Sequence, residues 1–310
     1  MDFRADYDHH SPLEFGGFEH SRSFEDSRAV VLPVPFERTT SYVTGTRNGP
    51  REILLASGQV ELWDEETQSE AYNRGIYTLP EIELPYNDIR VALDEIKRVV
   101  NDIMEHEKFL VVLGGEHSVS VPVVEALAAR TPGLSVLQID AHADMRDSYQ
   151  GSRYSHACAM RRIVEHAPCT QVAIRSLCKE ESQAIPGLRT RIFWDHNMRQ
   201  DPKWIDKVVE SLSDQVYLTI DCDGLDPAIM PAVGTPEPGG LSWHETVALL
   251  RAVMSKRHMV GCDVVELCPL PGMVGPNFLC AKLIYKILTY RFAKASGAAG
   301  SPAAHYSEDP

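Results

Sequence analysis

An apolar run that ends in three potential metal ligands at alternate positions limits what this chain can fold into. The run is Leu137-Gln138-Ile139, and the ligands are Asp140, His142 and Asp144. Where a strand runs out into a loop, positions i, i+2 and i+4 project to one side, so the three donors converge on one point. The stretch Val216-Tyr217-Leu218-Thr219-Ile220-Asp221-Cys222-Asp223 has the same grammar. A third stretch, Leu110 to Leu113, ends in Gly114-Gly115-Glu116-His117-Ser118. Three strand ends that each deliver nitrogen or oxygen donors require a fold that gathers strand ends together.

The rest of the chain fits such a fold. A strand is expected over 29–34, then a Gly- and Pro-rich connection, then a helix over 50–57 with Pro50 in its first turn. Ile89, Leu93, Ile96, Val100 and Ile103 mark one face of a helix over 87–107. Further strands are expected at 109–113, 134–140, 170–174, 191–194, 215–221 and 258–265. Further helices are expected at 118–129, 157–166, 202–212, 242–256 and 275–291. This alternation implies right-handed crossovers and a mostly parallel α/β sheet with helices on both faces. Ligands bind beyond the carboxyl ends of such strands, where the three donor stretches fall. No internal repeat or linker divides the middle, so one domain is expected over 26–292. Residues 1–25 read as an arm lying over a neighbour or mobile, with His9 and His10 a solvated pair, and 293–310 as a disordered tail.

The formal net charge of −14 argues against a nucleic-acid partner and favours a small cationic substrate. Seven cysteines, an odd number with no C-x-x-C pair, point to a reducing compartment. The first residues carry no basic and apolar signal pattern, and no apolar run reaches membrane-spanning length. A cytoplasmic protein without a membrane partner is expected.

Asp140, Asp144, Asp221 and Asp223 are hard oxygen donors, and His117 and His142 add imidazole. That set, without cysteine, suits Mn2+ better than structural zinc. Six ligands exceed the need of one ion that must also bind water, and four carboxylates would repel one another around a single divalent charge. A two-metal site bridged by Asp140 and Asp221 resolves both difficulties. Taken singly, each piece has a plainer reading: Asp-x-Asp as a solvated loop, Gly-Gly as a tight turn, the histidine as structural.

Together these motifs resemble the signatures of the ureohydrolases, the family of arginase, agmatinase and formiminoglutamase. The resemblance rests on Gly114 to Ser118, Asp140 to Asp144 and Asp221 to Pro227, and extends through Gly234 to Leu241 and Asp263 to Glu266. With Pro35-Phe36 and Gly49-Pro50 it covers roughly residues 28–290. It implies a three-layer α/β/α arginase-like domain holding two Mn2+ per chain. One ion would be held by His117, Asp140, Asp144 and Asp221, the other by Asp140, His142, Asp221 and Asp223. A hydroxide between the ions would attack the guanidinium carbon, with Asp144 relaying its proton. Glu266 would pair with the guanidinium. His156 would shuttle protons and meet substrate at the mouth of the site, although a loop histidine can also simply cap the next helix. The resemblance also implies a homo-oligomer, trimeric or hexameric.

Departures from the arginase pattern narrow the substrate. Glu116 stands where aspartate is usual and is not expected to be a ligand. The loop from Met145 to Ser155 lacks the Ser-Gly-Asn arrangement that arginases use for the α-carboxylate of arginine. The branch implied is agmatinase-like, hydrolysing agmatine to putrescine and urea in polyamine biosynthesis. The alternatives are N1-aminopropylagmatine, its carboxylated form or guanidinobutyrate, and, in a different class, a non-catalytic binding subunit. Arg175, Glu180 and Glu181 follow a strand end, and the two glutamates are candidates to meet a distal ammonium or merely to open a helix.

Overall fold

In the computed structural model, residue 11 and residues 13–293 are described. Eight strands form one sheet: β1 (Ala29–Val34), β2 (Ile76–Thr78), β3 (Phe109–Gly114), β4 (Leu134–Ile139), β5 (Cys169–Ile174), β6 (Thr190–Trp194), β7 (Gln215–Asp221) and β8 (His258–Val265). Strands β1 to β5 are buried at every position, which explains why they read as continuous apolar runs instead of alternating ones. The order is β2-β1-β3-β8-β7-β4-β5-β6, and every pairing is parallel. The short β2 escapes a reading by pattern because three residues carry no periodicity; pairing with β1 defines it.

The helices among the described residues are α1 (Gly49–Ser57), α2 (Ile89–Met104), α3 (Ser120–Arg130), α4 (Ala159–His166), α5 (Lys179–Ala184), α6 (Asp195–Met198), α7 (Trp204–Ser211), α8 (Trp243–Lys256) and α9 (Gly275–Phe292). Local chemistry starts the longer ones. Asp88 accepts hydrogen bonds from the Arg90 and Val91 amides, Ser242 and Glu245 form a capping box, and Pro276 sits in the first turn of α9.

Alternate strand residues divide between two cores. Val31, Val111, Leu137 and Leu218 pack toward α1, α7, α8 and α9, whereas Val30, Val112 and Val136 pack toward α2, α3 and α4. The result is the expected three-layer α/β/α arrangement, with the sheet parallel throughout. The described part of the expected arm lies on the domain: the Phe15 amide donates to Thr78 Oγ1 at 2.9 Å and its ring enters the core. Residues 1–10 and 294–310, including His9 and His10, lie outside the described residues.

Strand order positions the site. The ends of β3, β8, β7 and β4 are four consecutive neighbours, about 5 Å apart strand to strand. Each of the donor stretches leaves one of them. Two glycines let the loops above these ends close up. A Cβ on Gly115 would lie 2.0 Å from the Phe36 carbonyl oxygen, and one on Gly224 would lie 2.6 Å from the Asp140 amide nitrogen.

Candidate metal centre and cavity

From β3, His117 opens a short 3-10 turn over His117–Val119. Its Nδ1 lies 3.0 Å from Asp144 Oδ2, 3.2 Å from Asp140 Oδ2 and 3.4 Å from Asp221 Oδ2. Yet this buried nitrogen makes no hydrogen bond of acceptable geometry. Its other nitrogen explains the arrangement. Nε2 lies 2.9 Å from Thr219 Oγ1, and the Thr219 hydroxyl donates to Asp263 Oδ1 at 2.6 Å. With its one proton spent on Asp263, Thr219 accepts from Nε2–H, so the lone pair of Nδ1 points at three carboxylate oxygens. A lone pair facing carboxylates is relieved either by a proton on Nδ1 or by a cation between them.

From β4, Asp140 accepts the Gln138 side-chain amide and the His142 backbone amide, each at 2.6 Å. His142 Nδ1 lies 2.9 Å from Asp223 Oδ2 and 3.8 Å from Asp140 Oδ1. From β7, the Asp223 side chain accepts the Ala141 amide at 3.0 Å, which ties the two strand ends together. Two overlapping groups, His117-Asp140-Asp221 and Asp140-His142-Asp223, each bring three donor atoms within 4.8 Å of one another and could hold an ion. Asp144 joins the first through its contact with His117. All six residues expected as ligands therefore meet at one place, and the donor set fits two hard divalent ions sharing carboxylates.

The electrostatics agree. Burial and then the Asp223 and Asp144 carboxylates push Asp140 up to about 8. Burial, Asp223 and Asp140 likewise raise Asp221 well above the usual carboxylate range. Burial opposes charge on His142, but Asp223 and Asp140 overcome it and carry the imidazole up to about 11. His142 in turn outweighs burial at Asp223 and draws it down to about 2. Without a cation, protons fill the space that four carboxylates leave unbalanced.

Glu266 follows β8. Its Oε1 accepts the His117 backbone amide at 2.7 Å, and it lines a cavity of about 310 Å3 above the carboxylates. Burial, then Asp221 and Glu116, raise its pKa well above normal. Glu266 (φ 62°) and Asp144 (φ 52°) both hold left-handed backbone conformations that cost non-glycine residues about 1–3 kcal/mol. Hydrogen bonds from the Glu266 amide to Gly115 O and from the Arg161 amide to Asp144 O hold them there. His156 lines the same cavity, its ring edge-on to Tyr149.

Some expectations need correction. Arg175, to which no contact with substrate was assigned, donates through its guanidinium to the carbonyls of Ala173, Asp223, Glu237 and Pro238 and braces the loops after β7. Glu180 is exposed, outside the cavity. Glu181 does line it, but its oxygens already accept the Met145 and Cys178 amides, and Arg146 Nε lies 3.6 Å away. The two glutamates thus part company because α5 is short and only its inward face reaches the cavity. Other groups at the site had no assigned role in the sequence. Gln138, Tyr217 and Thr219 lie two or four residues before a ligand on the same strand face, a periodicity that could have found them. Asp263, a carboxylate inside an apolar strand that also accepts the Tyr217 hydroxyl, was equally visible. Arg146, Tyr149 and Thr39 carried no such signal.

Comparison with known proteins agrees with this architecture. The model of the arginase family matches residues 27–289. An N(1)-aminopropylagmatine ureohydrolase of Synechocystis sp. is 42% identical over 287 residues, covering 90% of this chain and 94% of that protein. An agmatinase of Bacillus cereus is 32% identical over 253 residues, 80% of this chain and 86% of the relative. The crystal structure of an agmatine ureohydrolase of Thermoplasma volcanium superposes with a TM-score of 0.82 at 31% identity, over 91% of this chain and 94% of that one.

Proposed function

The chain belongs to the arginase family and is an amidinohydrolase, and from that premise we propose that its substrate is N1-aminopropylagmatine, hydrolysed to urea and a linear triamine. The observation that carries this reading is the 42% identity, over 90% of the chain, to a ureohydrolase named for that substrate. It moves the emphasis from agmatine to its aminopropyl derivative. The cavity supports it: besides Glu266, Asp144, Asp221 and Asp223, its lining includes Ser176, Leu177, Glu181 and Tyr149, giving an arm somewhere to lie. Its volume sits at the lower end of the range of about 300–1,000 Å3 for small-molecule sites.

In this reading His117, Asp140, Asp144 and Asp221 would hold one Mn2+, and Asp140, His142, Asp221 and Asp223 the other. The pair, when bound, supplies Lewis acidity that lowers the pKa of water toward neutrality. Glu266 accepts guanidinium N–H bonds through the carboxylate oxygen not committed to His117, orienting the carbon for attack. Asp144 takes a proton from water as the water oxygen bonds the guanidinium carbon, and relays it to the amine that departs when the carbon–nitrogen bond breaks. His156 moves protons at the mouth of the cavity. Free thiols at all seven cysteines support a cytoplasmic location, and among the described residues no helix is long and apolar enough to cross a membrane. A trimer or hexamer belongs to the same proposal and is read by light scattering.

The deciding experiment measures urea release by purified, Mn2+-loaded protein from N1-aminopropylagmatine, agmatine and arginine in parallel. The expected order in kcat/KM is aminopropylagmatine first, agmatine at least about tenfold lower, and arginine inactive. Equal or greater turnover of agmatine would favour the second reading, supported by the Bacillus cereus relative, in which the arm makes no contact of consequence.

A further inference from the structure

Glu116, the residue that departs from the family's aspartate, is fully buried and saturated with hydrogen bonds. Its Oε2 accepts the backbone amides of Arg38 at 2.6 Å and Thr39 at 2.7 Å. Its Oε1 accepts the hydroxyls of Ser118 at 2.6 Å and Thr39 at 2.8 Å. Thr39 therefore spends its only hydroxyl proton on Glu116, and its oxygen has just its lone pairs left to offer.

Those lone pairs face His156 twice. Thr39 Oγ1 accepts the His156 backbone amide at 2.9 Å and lies 3.2 Å from the ring nitrogen Nδ1. If Nδ1 were unprotonated, two lone pairs would face each other at that distance. If it carries the proton, the contact is a hydrogen bond and no lone pair of Thr39 is set against another. Ser155 Oγ, 3.4 Å from Nδ1, can accept the same proton but fixes neither tautomer, since its own hydroxyl is uncommitted. His156 is one of the residues that line the cavity.

We propose that Glu116 and Thr39 are positioning residues that hold neutral His156 in its Nδ1–H tautomer, leaving Nε2 as the nitrogen that accepts and returns protons in the cavity. The proposal rests on the reading of His156 as a proton carrier, and it gives Glu116 a reason for its length. Aspartate is one methylene shorter and would reach less far toward Thr39 and the Arg38 and Thr39 amides.

The tautomer is read directly by 15N-resolved imidazole NMR of neutral His156, with full-length protein and no substrate, so the result stands apart from substrate identity. The expected spectrum has Nδ1 protonated and Nε2 bare. Thr39→Val should release the ring toward the Nε2–H form, lower kcat on the preferred guanidine by about tenfold or more and leave KM within about twofold. Thr39→Ser should restore both the spectrum and kcat. Glu116→Asp should resemble Thr39→Val in the NMR readout, and adding Thr39→Val to His156→Asn should cost no further rate, because the two act through one group. An Nε2–H tautomer in the unaltered protein would overturn the proposal. So would a Thr39→Val variant with an unchanged His156 spectrum and unchanged kcat.

Discussion

Metal removal at controlled pH tests the candidate centre most directly, because the geometry dictates how many protons stand in for the ions. In the metal-free chain Asp140 is carried up to about 8 by burial and by Asp223 and Asp144. His142 is carried up to about 11 by Asp223 and Asp140 against the opposing effect of burial. His117 is raised well above its usual 6.5, again against burial, by Asp140, Asp144 and Asp221. At pH 7 these groups hold protons that ligation must displace, since metals take carboxylate and neutral imidazole. Asp223, drawn down to about 2, has none to release. Taking the two imidazolium protons as the floor, overall affinity for Mn2+ should rise about 100-fold per pH unit between pH 6.5 and 7.5, about 2.7 kcal/mol. The stability of the metal-free fold moves the other way. Stabilisation from protonated His142 is complete below 6.5 and is lost as pH rises through about 11, and raised Asp140 destabilises the fold as pH climbs from 3.8 through about 8. The gain in Tm on adding Mn2+ should therefore widen as pH rises from 6.5 to 8. Calorimetric titration in two buffers of different ionisation enthalpy counts the protons. Release of about two or more per chain is expected; no release, with affinity flat across that interval, would refute the reasoning.

Three further perturbations probe the scaffold. Thr219→Val leaves His117 Nε2–H without its acceptor and Asp263 without the Thr219 donor, so Mn2+ affinity should fall about 10- to 100-fold and the metal-free fold should lose about 1–3 kcal/mol; unchanged metal content at limiting Mn2+ would count against the relay. Gly115→Ala would place a methyl group 2.0 Å from the Phe36 carbonyl oxygen, forcing β1 and β3 apart at their ends. A loss of about 3 kcal/mol in urea denaturation is expected, and a neutral result would mean the close approach is not real. Lys286→Met strands the buried Asp64 carboxylate that Lys286 Nζ meets at 2.7 Å and should cost about 3–5 kcal/mol. Adding Asp64→Asn should recover part of that loss, and a simple sum of two losses would contradict the pairing.

Much of this protein was legible in its sequence because the relevant physics is local. Alternation of donors at 140, 142 and 144 marks them as neighbours in sequence, whereas the left-handed turn that brings Asp144 to the same place is held by the Arg161 amide. Apolar runs between helical periods announce buried parallel strands, and the elements at 29–34, 109–114 and 215–221 lie where such runs fall. The ligand chemistry was equally local, since hard carboxylates beside imidazole select their ion by composition. The structure alone decided which loops face one another. Strand order β3-β8-β7-β4 sets four ends side by side although they are far apart in sequence, and no periodicity encodes it. The same long-range closure turned Arg175 into a brace on the carbonyls of Asp223 and Glu237, turned Glu180 outward and set Glu181 inward. It also brought Thr39 between Glu116 and His156, residues 77 and 117 positions away from it in the chain. Which residues can bind an ion is written in their own atoms and spacing; which of them share it, and what holds them in place, depends on how the crossovers return the chain to the sheet.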